Sequence, residues 1–133
     1  MSLSADQLIL TAICNTLIPL APGGRVYQGV AVANAARPHA VVQLQDDVRT
    51  AHVVGRGGAA TLVTVKVIAN TQAEARTIRD TLCPVVGIVP TLPTFTIAGF
   101  SVTVEWERTP TLPYDGSAYQ AGHLFRVALR HIP

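Results

Sequence analysis

The stretch from Thr61 to Cys83, TLVTVKVIANTQAEARTIRDTLC, constrains the fold more than any other, because a strand pattern gives way to a helix pattern within two residues. Thr61 to Ala69 is rich in β-branched residues, with Val63, Val65 and Val67 on one face and Thr64 and Lys66 on the other, the period-two signature of a strand. Thr71 then stands three residues before Glu74, a capping-box pair, and Ala75, Ile78 and Leu82 recur at helical spacing. A strand feeding directly into an amphipathic helix predicts an α+β domain. The stretch holds no catalytic group, so function is to be sought in assembly or binding.

A chain of 133 residues reads as one domain, able to bury roughly 68% of its unfolded surface in a single core. Only 14% of it is charged against 49% hydrophobic, where an ordinary soluble domain carries about 25% charge. The missing charge points to surface covered by partners. Net charge is +2, and Lys66 is the one lysine among ten basic residues. That balance lacks the clustered basic face of a dedicated nucleic-acid binder. No apolar run approaches the ~18 residues of a membrane span, and the opening MSLSADQL lacks the charged start of a signal peptide. Cys14 and Cys83 fit a reducing compartment.

Ser4 with Gln7 marks the start of a first helix, which Pro19 ends at or near Ile18. Its apolar residues, Leu8, Ile9, Leu10, Ala12, Ile13, Cys14, Leu17 and Ile18, wrap most of the circumference. Such a helix is expected to be buried on nearly all sides, either as a subunit contact through Leu10, Cys14 and Ile18 or as a deeply embedded core helix. Pro22-Gly23-Gly24 is a turn, Val26-Tyr27 opens an extended segment, and Ala40 to Gln45 reads as a strand. A 15-residue connection follows, Asp46 to Ala60, long enough to hold a protruding hairpin arm with Val48 to Val54 as one of its strands. Beyond the second helix, Pro84, Pro90 and Pro93 punctuate the chain. Phe95 to Ile97 and Phe100 to Glu107 flank Ala98-Gly99 as a hairpin. Pro110, Pro113 and Asp115-Gly116 form an exposed loop, and His123 to Arg130 closes the chain as a strand with Phe125, Val127 and Leu129 inward.

The reactive residue types find no catalytic setting. Cys83 lies at a helix C-terminus, where the macrodipole disfavours a thiolate, and Cys14 lies in an apolar helix where burial raises its pKa. Ser101 and Ser117 lack a G-x-S-x-G surround. His39, His52, His123 and His131 have no metal-ligand spacing, and Asp46-Asp47 at a strand end reads as a turn. Gly55-Arg56-Gly57-Gly58 precedes a strand, whereas a phosphate loop needs a following helix. Glu105 and Glu107, on one side of a strand, are expected to meet solvent or an opposing arginine rather than perform acid–base work. Arg49 and Arg56 in the long connection either contact phosphates or acidic partner surfaces or are solvated loop residues. No enzyme, metal or cofactor is expected.

Several segments in succession resemble the small phage tail-completion, or tail-terminator, family of head–tail joining ring proteins. Gly24-Arg25-Val26-Tyr27 with Gly29-Val30 is similar to the family's early segment, and Pro38-His39-Ala40-Val41-Val42 to the strand after it. Val65-Lys66-Val67-Ile68-Ala69, then Ala73-Glu74-Ala75-Arg76 and Ile78, resembles the central strand and helix. Asp115-Gly116 ahead of His123-Leu124-Phe125-Arg126-Val127 resembles the closing loop and strand. The resemblance spans roughly Ala12 to Leu129, and the Pro84 to Pro93 stretch departs from it.

The resemblance implies an α+β fold: a mostly antiparallel sheet of four to six strands flanked by two helices, with a long loop or hairpin arm between the second and third strands. It implies a structural virion protein assembled in the host cytoplasm, forming a homo-oligomeric and hexameric ring at the head-proximal end of a tail. The partners are then the tail tube protein and the head–tail connector, with non-specific contact to passing DNA. Asp46, Asp47, Arg49, His52 and Arg56 in the arm are the expected contacts to a neighbour or the lumen. A head–tail joining protein is the alternative within that class, and a small dimeric ligand-binding α+β module the alternative outside it.

Overall fold

The computed structural model describes residues 5–44, 52–53, 58–112, 114 and 116–132, with backbone alone at residues 5, 52–53 and 58–59. Two helices and a mixed sheet make up the α+β fold expected from the sequence. Helix α1 spans Ala5–Leu17 and a 3-10 turn Pro22–Gly24. Strands β1 Val26–Gln28, β2 His39–Leu44, β3 His52–Val53 and β4 Gly58–Ala69 follow, then α2 Gln72–Leu82. A small β5 Val85–Val86 and β6 Val89–Pro90 pair lies before β7 Phe100–Arg108 and β8 Tyr119–His131.

The strand-to-helix switch forms as the sequence predicts. Thr71, extended at φ −135° and ψ 154°, accepts the Glu74 N–H on its hydroxyl at 3.1 Å. The carboxylate of Glu74 reaches back one residue further than a standard capping box, accepting from the Asn70 N–H at 3.4 Å. Ala75 and Leu82 are buried and Ile78 packs against the core. Cys83 ends the helix by donating its N–H to the Arg79 carbonyl at 2.8 Å, and Pro84 cannot continue it.

The main sheet runs β1-β2-β4-β8-β7, with β3 beside the start of β4. Only β1 and β2 are parallel; the other pairs are antiparallel. The β4–β8 ladder is the longest, from Gly58↔Arg130 to Ala69↔Tyr119, and sets Val63 opposite Phe125 and Val65 opposite His123. Alternation then puts Val63, Val65, Val67, Phe125, Val127, Leu129, Ala40 and Val42 on one face. Both helices pack on that face: Ile9, Leu10, Ile13, Cys14 and Leu17 of α1 and Leu82 and Cys83 at the end of α2 join these residues in one core. Ala75 meets Ala69 and Ala121 in a second, tighter contact.

Two expectations are corrected. α1 buries one broad face rather than nearly all sides: Leu8 and Ala12 are half-buried, Asn15 is exposed and Ile18, past its end, is 40% exposed. The helix lies against β1 and β2 at one margin of the sheet. The Phe95–Ile97 and Phe100–Glu107 hairpin does not extend: Ile97↔Phe100 is a single bridge around Gly99, at φ +83°. β7 pairs along its length with β8, which offers Leu129, Val127 and Phe125 opposite Val102, Val104 and Trp106. The segment from Leu92 to Phe95 instead lies against Val102 and Val104. Ser4, Pro113 and Asp115, assigned to a cap and a loop from sequence, lie outside the described residues.

Gly122 on β8 makes the central ladder possible at its closest approach, since a Cβ there would sit 2.5 Å from the Val65 carbonyl oxygen and 3.0 Å from Lys66 Cα. Gly122→Ala is expected to destabilise the fold by about 1–3 kcal/mol, the usual cost of overpacking a close-packed site. Urea denaturation measures it, and an unchanged midpoint would contradict this register.

Candidate functional site

Among the described residues, the most exposed apolar structure is the β5–β6 hairpin, VVGIVP. Val85 pairs with Pro90 and Val86 with Val89, and Gly87, at φ +69° with open space around it, supplies the left-handed turn residue. Its side chains have nowhere to go in the monomer: Val85 is 51% exposed, Val86 68%, Ile88 91% and Val89 42%. The Thr91 N–H and hydroxyl both donate to the Pro84 carbonyl at 2.8 Å, tying the base of the hairpin closed. A cleft of about 610 Å³ opens beside it, walled by Leu92, Val104 and the exposed Trp106. A contiguous apolar patch of a few hundred Å² is about the largest a monomer carries and marks an interaction surface. The sequence signal for this hairpin is the V-V-G-I-V arrangement of strand formers about a glycine, which Pro84 and Pro90 on either side obscure.

Of the residues picked from sequence, the structure describes Leu10, Cys14 and Ile18 and the backbone of His52. Of the arm, the backbone of His52–Val53 pairs antiparallel with Ala60 and Ala59 at the start of β4. Asp46, Asp47, Arg49 and Arg56 lie outside the described residues, as does the His52 side chain. On α1, Leu10 and Cys14 are buried in the chain's own core, so of the three proposed contact residues only Ile18 presents surface. An apolar stripe on a two-layer domain is first consumed by its own sheet, and that use competes with any neighbour.

Glu107 meets an opposing arginine as expected, accepting from Arg126 Nε at 2.8 Å across the β7–β8 pair. A register shift between Trp106 and Arg108 inserts Glu107 as the extra residue. The thiols are inert: burial pushes Cys14 up to about 11 and Cys83 to about 12. Among the described residues no three His, Cys, Asp or Glu side chains converge as a metal site, and no helix is long and apolar enough to cross a membrane.

The two buried histidines among the described residues are held neutral. His39, edge-on to Tyr27 at 5.5 Å, lies 3.1 Å from the Ala36 carbonyl through Nδ1, and burial lowers its pKa. His123 is 3% exposed, and burial, reinforced by the Arg79 charge, lowers it to about 4. Thr109 Oγ1 lies 2.7 Å from His123 Nδ1 and accepts the Trp106 indole N–H at 3.3 Å. That chain joins the bulged end of β7 to the middle of β8. No known protein-family model matches the chain, and no curated protein matches it in sequence.

Between pH 4 and the ordinary histidine value of 6.5, the unfolded chain binds a proton at residue 123 that the folded chain refuses. Stability therefore rises with pH across that window and falls on acidification through it, with His39 acting in the same direction. His123→Gln is expected to flatten the pH dependence of the urea midpoint over this range. Equal slopes in parent and variant would contradict the neutral, buried state of His123.

Proposed function

We propose that this chain is a structural virion protein that assembles as a ring, with six copies as in the family it resembles, at the head-proximal end of a phage tail. There it ends growth of the tail tube and joins the tail to the head. The observation that carries assembly is the bare apolar hairpin at Val85–Pro90, with Ile88 91% exposed on a chain whose core is otherwise complete. The step from assembly to the tail rests on the succession of segments that resemble tail-completion proteins and on the α+β sheet flanked by two helices. Termination of the tube is preferred to a purely joining role.

The mechanism is geometric. A closed ring needs a heterologous interface, in which a knob on one subunit meets a different, matching surface on the next. The hairpin is such a knob. Closure caps the tube axially, and the opposite axial face presents the connector with a surface the tube lacks. Passing DNA requires no base reading from such a ring, only weak contacts to its phosphates.

Purified protein is expected to form closed rings in negative-stain micrographs, alone or on addition of tube protein. Ile88→Asp, at a site that buries almost nothing, is expected to keep stability within about 0.5 kcal/mol and to sediment as a monomer under the same conditions. Rings formed equally well by this variant would remove the hairpin from the interface, and a parent chain monomeric in both conditions would overturn the ring.

A further inference from the structure

A second cleft, of about 350 Å³, lies on the helix side of the sheet between α2 and the connection from β7 to β8. Its composition differs from that of the apolar cleft. Arg76 and Arg79 stand three residues apart on α2, so both reach the same side of the helix. Thr109 and Thr111 line the opposite wall, with Pro110 between them fixing the backbone. Gln72 closes one end by donating through Nε2 to the Gln120 carbonyl at 3.2 Å. No carboxylate among the described residues lines the cleft.

The donors are poised rather than consumed. Asp80 engages Arg79 through Nε, at 2.9 Å. This contact orients the guanidinium and takes one of its five N–H donors. Arg76 is exposed and has no hydrogen-bond or ion-pair partner among the described residues. Thr109 is held from behind by His123 and Trp106, which makes that wall rigid. Directly beneath it, His123 Nε2 is buried without a hydrogen-bond partner.

We propose that this cleft is a phosphate-binding site, in which the guanidinium groups of Arg76 and Arg79 and the Thr111 hydroxyl hold the oxyanion. The donor count favours phosphate over carboxylate. A carboxylate has two oxygens and is satisfied by the fork of one arginine, whereas a phosphate offers enough acceptor oxygens to bridge two guanidinium groups and a hydroxyl. The phosphate group can belong to a nucleic-acid backbone or to a free phosphate or pyrophosphate. The inference is independent of ring assembly, because none of these residues belongs to the hairpin.

Trp106, the one tryptophan in the chain, bonds to Thr109 in the cleft wall and is a built-in reporter. The full chain is titrated with inorganic phosphate, pyrophosphate and a short oligothymidylate at constant ionic strength, read by tryptophan fluorescence and by calorimetry. Saturable binding of at least one of them is expected, weakened about tenfold or more in Arg76→Gln by loss of a charge-assisted contact, with an unchanged melting temperature. Thr111→Val is a second variant, expected to weaken binding while leaving both charges in place. Tighter binding of the oligonucleotide than of pyrophosphate identifies the backbone as the source, and the reverse order identifies a free phosphate. Absence of saturable binding in both readouts, or equal affinity in parent and Arg76→Gln, would overturn the site.

Discussion

The ladder between β4 and β8 is the constraint on which the rest of the molecule depends. It joins Gly58 to Arg130 at one end and Ala69 to Tyr119 at the other, and every other strand of the main sheet is placed by one of its two members, directly or, for β1, through β2. β2 takes its register from β4, β1 from β2, and β7 from β8. A slip of one residue between them would keep Val63, Val65 and Val67 against the helices only by turning Phe125, Val127 and Leu129 away. The hydrophobic core therefore defines one register, and Gly122 lets the two backbones approach closely enough to keep it.

Local patterns were legible where a single physical cause dominated. Val63, Val65 and Val67 alternate because one face meets the helices. Thr71 and Glu74 cap because the first turn of α2 leaves N–H groups to satisfy. Glu107 finds Arg126 because adjacent strands bring opposite charges within reach. The readings that failed were those decided by competition between distant segments. Gly99 does turn the chain, yet β8 displaced Phe95–Ile97 as the partner of β7 by offering a longer set of apolar cross-strand pairs. Leu10 and Cys14 went to the core, the second of the two uses that the apolar pattern of α1 allowed, and the choice between them depends on the sheet rather than on α1. Arg76, Arg79 and Thr111 come together only through the path of the β7–β8 connection, which spacing along the chain does not encode.

The surface divides its chemistry. The apolar hairpin offers contact area without charge, which suits a permanent joint between subunits, and its neighbouring cleft sets Leu92, Val104 and Trp106 beside Glu105. The arginine cleft offers directed donors around a polar space, which suits an anion. The buried thiols and neutral histidines belong to neither, and their shifted pKa values follow from packing. On the proposed reading, assembly is the work of the hairpin, and the phosphate site adds a separate contact on the helix side of the sheet.

The most direct measurement is electron microscopy of particles from a lysate in which this gene is disrupted. Overlong or ragged tails, restored to uniform length by supplying the chain in trans, are what a ring that terminates the tube predicts. Intact, infectious particles with tails of normal length would contradict it.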